Sequence, residues 1–512
     1  MVNSQSDRKL NTWFDGSDEK SLMMKIQKTF TLLVLLTLFL AACAPSMKPT
    51  MILPAPAEDA EAVEVLDITP FPTRPAYEPG ELVEYIAQTG DTLDVLADRF
   101  NTTVAEIRKA NTVIPEDATT MPPGMPMQIP IYYRPLWGTP FQMIPDAAFV
   151  NGPDAAAFDS SQFVAQTQGW LKDYNDWAYS GQRTGAEMVD NIGLNYSISP
   201  KLLLALLEYM GGAFSLPTLS LTGERNLLRQ DPYRNPILYL QLSSAANLLN
   251  DGYYRWRSGD LLEFELVDGS LVRLDPWQNA ATVTLQYFFS KTMGVAEFHR
   301  AIGPDGFNKT YTELFGDPWR IQPHIPGSLQ QPELLLPYQT DEVWAFTGGP
   351  HTGWGSSAPW SALDFAPPSA VSGCAPSSVP TTAVADGLVV RDGTGILVLD
   401  LDGDGDERTG WTVFYLHVAA EGRVPVGTSV QAGDPLGFPS CEGGRSTGTH
   451  IHIARKYNGE WMVADGVIPF VMSGWRPMRG EYPYQGWLVK DDLRVLASEN
   501  PGILSMIPAE VE

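Results

Sequence analysis

The rhythm of apolar and polar positions changes several times along this chain, and each change marks a different kind of segment. Residues 30–40 are almost unbrokenly apolar, a run too short to span a bilayer, which takes about 20 residues. From 44 to 80 any apolar period vanishes and Pro alternates with Ala, Glu and Thr, a composition that cannot bury enough surface to fold and predicts a disordered spacer. At Val83-Glu84-Tyr85-Ile86-Ala87 a two-residue alternation predicts a strand. Thr92 or Asp91 can then cap a helix through Leu93, Leu96, Ala97 and Phe100, and Thr102 or Thr103 a second through Val104, Ile107 and Ala110. Met127-Gln128-Ile129 closes this module as a strand. Helical periods dominate 146–330, over 163–179, 185–192, 200–210 and 237–249. Pro200 opens the third of these and Gly211-Gly212 closes it. Asp251-Gly252 reads as a turn, and Asp268-Gly269 as the turn of a hairpin over 261–274. After Pro323 short alternating strands with frequent Gly predict an all-β unit, with a tight hairpin at Asn458-Gly459.

Length and charge narrow the possibilities. At 512 residues the chain needs three or four domains. Its 60 Asp+Glu against 34 Lys+Arg exclude nucleic acid as a partner, because phosphate binding needs clustered positive charge. Lys25 and Lys28 precede the apolar run, which ends in Leu40-Ala41-Ala42-Cys43. Basic region, short apolar stretch, small residues and cysteine together resemble a bacterial lipoprotein signal peptide over 23–43. The resemblance implies cleavage before Cys43, lipid on its thiol, and a protein anchored on the extracytoplasmic face of the cell membrane. Residues 1–22 are a doubtful leader, and Met23-Met24 suggests a start there. With Cys43 lipidated, Cys374 and Cys441 remain, an even count in an exported protein, and a disulfide is the economical reading.

The module at 81–131, with Gly90-Asp91-Thr92-Leu93, Ala97-Asp98-Arg99-Phe100 and Ile107-Arg108-Lys109-Ala110-Asn111, resembles a LysM domain, a βααβ fold. That resemblance implies binding of N-acetylglucosamine-containing glycans, with Gly90, Asp91, Thr92 and Asn111 as candidate contacts. The segment from Asn111 to Gly124 is longer than the family pattern. In the helical middle, Ser199-Pro200-Lys201-Leu202-Leu203-Leu204-Ala205 resembles the opening of the catalytic helix of lysozyme-like lytic transglycosylases. Met210 stands where their acid glutamate belongs and Gly211 where the serine belongs; Glu208 lies nearly opposite on the helix. A degenerate lysozyme-like domain without glycosidase chemistry is expected, beside the plain alternative of a helical spacer. Trp170, Trp177, Tyr253, Tyr254 and Trp256 read as core or groove aromatics.

Four of the six histidines fall in the all-β unit: His351, His417, His450 and His452. His450 and His452 share one face of a strand, so both imidazoles can address one small site. His351 precedes Asp364 by thirteen positions. One His, one Asp and one of the pair make up the three protein ligands of a catalytic zinc site. His299 and His324 match no pattern and are expected at the surface. With Val384-Ala385-Asp386-Gly387, Phe414-Tyr415-Leu416-His417, Gly433-Asp434-Pro435-Leu436-Gly437 and Ser446-Thr447-Gly448-Thr449-His450-Ile451-His452, the unit resembles the lysostaphin-type zinc endopeptidases. The long His351-to-Asp364 interval is most similar to their beta-lytic and staphylolysin branch. The resemblance implies His351, Asp364 and His452 as ligands of one Zn2+, with His417 and His450 handling protons beside it. Asp400-Leu401-Asp402-Gly403-Asp404-Gly405-Asp406 opens like a calcium loop, but its twelfth position is Trp411 where a bidentate Glu is expected. An acidic hairpin tip is the first reading there and Ca2+ the second.

The expected protein is a multidomain α+β chain: LysM at 81–131, a helical domain at 146–330, an antiparallel β metallopeptidase at 331–480 and a tail at 481–512. Its expected function is a membrane-anchored zinc endopeptidase that cuts peptide cross-links of peptidoglycan. The alternatives are a non-catalytic scaffold that activates a wall amidase, and a secreted-type bacteriolytic or elastin-cleaving protease.

Overall fold

The computed structural model describes residues 74–132, 137–179, 181–229, 235–368 and 373–509. The expected signal segment with Cys43, and the expected linker as far as residue 73, lie outside the described residues.

Alternation in the first module becomes a two-stranded antiparallel sheet. β1 (Glu81–Ile86) turns Val83 and Tyr85 inward and pairs with β2 (Pro126–Ile131), Val83 opposite Ile129 and Tyr85 opposite Met127. Thr92 caps α1 (Leu93–Phe100) by accepting from the Val95 amide at 3.4 Å, and Thr103 caps α2 (Val104–Ala110) by accepting from the Glu106 amide at 3.2 Å. The spacer ends earlier than its composition predicts. Arg74 bonds Asp275 at 2.5 and 3.1 Å and lies 3.7 Å over the Trp277 ring, while Tyr77 packs against Trp137 and Trp277. Proline content predicts stiffness; it says nothing of where an arginine meets a distant carboxylate.

In the middle domain α3 (Gly185–Tyr196) opens on a capping box of Thr184 and Glu187, and α4 (Pro200–Gly211) ends on Gly212 at φ 59°. Two expectations fail. The helix expected over 163–179 stops after Ser160–Ala165, and Asn175–Ala178 pairs with Gly181–Thr184 as a hairpin that leaves Trp177 63 % exposed. Gly169 lies so close to the Ala213 and Phe214 backbone that a Cβ would collide, and the chain must turn there. The turn expected at Asp251-Gly252 lies inside α5 (Leu238–Arg257); a Cβ on Gly252 would stand 2.8 Å from Thr284 Oγ1 of α6 (Ala280–Thr292). This glycine serves helix approach, not chain reversal. The hairpin over 261–274 is present, as strands Glu263–Glu265 and Leu271–Arg273.

The β unit is built on β3 (Ala345–Thr352), β4 (Trp360–Ala366), β5 (Gly387–Asp392), β6 (Ile396–Asp400), β7 (Trp411–Leu416), β8 (Ser429–Val430) and β9 (Ile451–Tyr457). They form one antiparallel sheet in the order β8-β5-β6-β7-β9-β4-β3. β10 (Glu460–Trp461) returns on β9 through the expected turn, Asn458 at φ 45° and Gly459 at φ 78°. Both faces are covered. Val398, Phe414 and Ala454 join the core of the helical domain, while their neighbours Leu399, Val413 and Ile453 join a second core beneath the sheet.

The expected boundary at 480 cuts through a hairpin. β11 (Arg476–Arg479), β12 (Gly486–Lys490) and β13 (Leu493–Leu496) form a three-stranded antiparallel sheet. Leu488 and Val495 are buried in the same core as Phe346, so 481–509 belongs to the β unit and is no tail.

Candidate metal centre and cleft

Three strands bring the expected ligands together. His452 on β9 stands directly opposite Asp364 on β4, with Leu416 on its other side, which places His417 at the strand end. β3 slips register on both sides of Gly348, and these bulges carry His351 to the same place. Gly348 faces Asp364 so closely that a Cβ would lie 2.5 Å from Asp364 Oδ2. His417 takes the left-handed φ of 68°, a strained setting for a histidine.

His351 Nε2, His452 Nδ1 and Asp364 Oδ1 form a triangle with sides of 3.0, 3.3 and 3.3 Å. The opposite ring nitrogens contact backbone carbonyls: His351 Nδ1 at Gly349 O (2.8 Å) and His452 Nε2 at Gly353 O (3.0 Å). A carbonyl only accepts, so those nitrogens carry the protons, and in neutral rings the two that face each other are bare. Burial pushes the His452 imidazole down, which keeps it neutral. Asp364 Oδ1 is buried with no hydrogen-bond donor. Three lone pairs thus converge with no proton among them. Ligands on a zinc tetrahedron with bonds of about 2.0–2.2 Å stand about 3.3–3.6 Å apart, so the donor set and its spacing fit a zinc ion.

His417 and His450 complete the group, ring centroids 4.5 Å apart. Each directs Nδ1 to a carbonyl, Glu442 O and Gly448 O, both at 2.8 Å, leaving Nε2 bare. His450 Nε2 is 3.7 Å from Asp364 Oδ1. Burial, reinforced by His450, pushes His417 down to about 4. All five expected residues line a cleft of about 2220 Å³, together with Tyr254 and Arg255 of α5 and Ser258 just after it. The Cys374–Cys441 disulfide closes, with Cα atoms 5.4 Å apart, beside the hydrogen bond from the Thr449 amide to Gly373 O (2.9 Å).

Tyr484 is the residue that sequence reasoning missed. It lies where a tail was expected, yet its ring stacks on His351 at 4.1 Å and it lines the cleft. No local signal marks it, because the contact spans more than a hundred residues and depends on the β11–β12 hairpin. His324 also departs from expectation: it is 4 % exposed and contacts Glu460 at 2.6 Å. A histidine surrounded by no motif gives no hint of a buried carboxylate partner.

The four expected glycan contacts are used internally. Asp91 accepts from Tyr85 Oη (2.6 Å), the Gln88 amide (2.7 Å) and Arg99 (3.0 Å). Asn111 bonds Ile107 O, Gln128 O and the Gln128 amide, and Thr92 caps α1. Gly90 packs against the Arg257 guanidinium, whose Nη1 bonds Thr89 O. These residues hold the module together and dock it on the helical domain. Glu208 likewise is spent, accepting from the Phe214 amide at 2.6 Å at the end of its helix. The Asp400–Asp406 carboxylates bond loop amides, Gly405 N to Asp400 at 2.9 Å and Asp406 N to Asp404 at 2.9 Å, Trp411 begins β7, and one oxygen each of Asp400, Asp402 and Asp404 lie within 4.8 Å of one another.

Comparison with known proteins agrees with this division. Residues 85–130 match the LysM domain model, and 142–328 match the model described as LasA, N-terminal domain. The helical middle thus has a kinship that its leucine-rich helix did not disclose. Protease LasA of Pseudomonas aeruginosa is 25 % identical over 348 residues, covering 63 % of this chain and 75 % of that protein. Among solved structures, the deep-sea M23 metalloprotease pseudoalterin is 23 % identical with a TM-score of 0.28, covering 33 % of this chain and 96 % of its own. The catalytic domain of lysostaphin from Staphylococcus simulans is 24 % identical with a TM-score of 0.17, covering 23 % of this chain and 86 % of its own. The chain is similar to protease LasA: along it a match to the LysM domain and a match to the LasA N-terminal domain are followed by the antiparallel β-sheet domain that carries the His/Asp/His site.

Proposed function

We propose that this protein is a zinc metalloendopeptidase that cuts peptide cross-links of peptidoglycan, held at the wall by its LysM domain and at the membrane by lipid on Cys43. The observation that carries the reading is the convergence of three bare ligand atoms, from His351, Asp364 and His452, beside the two bare Nε2 atoms of His417 and His450. A zinc ion held by the three supplies Lewis acidity to a peptide carbonyl and acidifies water. His450, half-buried and open to the cleft, takes a proton at Nε2 and returns it to the departing amine. His417, whose bare Nε2 also lies beside the site, is a second acceptor for that same proton. The carbonyls of Gly448 and Glu442 keep each ring in the tautomer that this requires. Glycan binding is assigned to the LysM domain by its family, not to Gly90, Asp91, Thr92 or Asn111.

Digestion of purified peptidoglycan by the full chain tests this, with soluble peptides and new amino termini as the readout. Release that stops with a zinc chelator and in His452→Ala is expected. Release that survives both overturns the metallopeptidase, and absence of release from the zinc-loaded protein favours the scaffold. Cys43→Ala is expected to move the protein out of the membrane fraction.

A further inference from the structure

Arg445 lies in the loop that runs past the two proton-handling histidines. A Cβ on its neighbour Gly444 would lie 3.4 Å from His417 Cε1, and the Oγ of its other neighbour, Ser446, is 3.3 Å from His450 Nδ1. The loop is anchored at both ends: Cys441 is bonded to Cys374, and Thr449 Oγ1 donates to Ala375 O at 2.6 Å. Arg445 itself is exposed and lines the cleft. Two other arginines of the cleft are already paired, Arg255 with Asp251 at 3.3 Å and Arg479 with Asp465 at 2.7 Å. Arg445 makes no ion pair among the described residues.

An unpaired guanidinium at a reacting centre is unusual in a chain of net charge −26. Its planar fork of donors matches a carboxylate in two parallel hydrogen bonds. Elsewhere the cleft carries Asp260, Glu481 and Glu499, which repel an anionic group placed near them. Charge therefore favours a substrate carboxylate at one position of the cleft and opposes it at others. A peptide advances about 3.3–3.6 Å per residue, so a side chain rooted between two residues that touch the histidines reaches a group within about two residues of the bond being cut.

We infer that Arg445 is a specificity-determining residue that receives a substrate carboxylate within two residues of the scissile bond, so that the preferred substrate is a peptide whose carboxyl group there is free rather than amidated. The word substrate rests on the peptidase reading; the carboxylate site itself does not. The test uses cross-linked wall peptides in pairs that differ by carboxylate against carboxamide, presented to the zinc-loaded full chain and to Arg445→Gln and Arg445→Lys. The unmodified protein is expected to favour the carboxylate by about 10- to 100-fold in kcat/KM, mostly through KM, as a hydrogen bond to a charged group provides. Arg445→Gln should bring the ratio towards one and Arg445→Lys should restore part of it. A ratio near one in the unmodified protein, or one that survives Arg445→Gln, overturns the inference. Calorimetric binding of the same pair reads the preference without cleavage. Arg445-dependent binding without hydrolysis would fail the peptidase and leave the carboxylate site, whereas hydrolysis of both peptides without preference would do the reverse. Binding of neither peptide also overturns the site.

Discussion

Two buried clusters of histidine, carboxylate and their neighbours lie in this molecule, and they are built on opposite plans. In the domain junction, Arg257 meets Glu460 at 3.2 Å and Asp146 at 3.3 Å, Tyr253 donates to Glu460 at 2.8 Å, and His324 contacts it at 2.6 Å. That cluster contains its own cation. Burial still raises Asp146, but Arg257 and His324 overcome burial at Glu460 and pull it down to about 2. In the metal centre every ring proton is turned outward to a carbonyl, and three acceptors face one another. The first cluster holds both signs of charge and ties the LysM, helical and β modules together, though Arg257 Nε and His324 Nδ1 in it are buried without a hydrogen-bond partner. The second is balanced only with a cation from outside, which is what separates a structural network from a functional one.

The contrast is broken most severely by His452→Ala. Zinc stoichiometry measured by mass spectrometry should fall from about one, and peptidase activity should drop by more than the 10- to 100-fold that loss of an outer partner costs, while Glu460→Gln leaves zinc content intact. Next comes stability. Glu460→Gln removes one of the two carboxylates on the Arg257 guanidinium and should cost about 1.5–3 kcal/mol in denaturant unfolding. If it costs under about 1 kcal/mol, the junction is no lock. The pH dependence sharpens the same point. Glu460 is depressed in the folded state, so the folded protein binds fewer protons than the unfolded one between its ordinary value near 4.5 and about 2. Its contribution, about 3 kcal/mol, is therefore present above that window and lost as pH falls through it. Asp146, raised by burial, acts in the opposite sense. Unfolding midpoints across pH 2–6 should lose slope in Glu460→Gln; an unchanged slope contradicts the assignment. The smallest effect is the most discriminating. In chelator-treated protein Asp364→Asn replaces a crowded acceptor with an amide that can donate to a bare ring nitrogen, and should stabilise by about 1 kcal/mol. Destabilisation there would mean that the three acceptors are not in conflict.

Legibility in the sequence followed the range of the interaction. Thr92, Thr103, Thr184 and Gly212 mark helix ends because a cap contacts atoms within four residues. The His450/His452 pair was readable because strand alternation is local. Trp177 was misplaced because the turn at Gly169 is imposed by Ala213 and Phe214, far along the chain. The four LysM candidates were named from a pattern whose polar residues serve the fold, and sequence alone does not separate a hydrogen bond kept inside from one offered to a glycan. Tyr484 and His324 depend on partners over a hundred residues distant.

By itself the sequence determined which side chains could be ligands, on which strands, in what order, and that an acidic chain must find its target by something other than its net charge. Only the tertiary structure decided what state those side chains are in. The carbonyls of Gly349, Gly353, Glu442 and Gly448 choose the proton-bearing nitrogen of each ring, and the bulges of β3 choose where His351 points. A residue type is a property of the chain, whereas a tautomer is a property of whichever acceptor the folded backbone delivers to it.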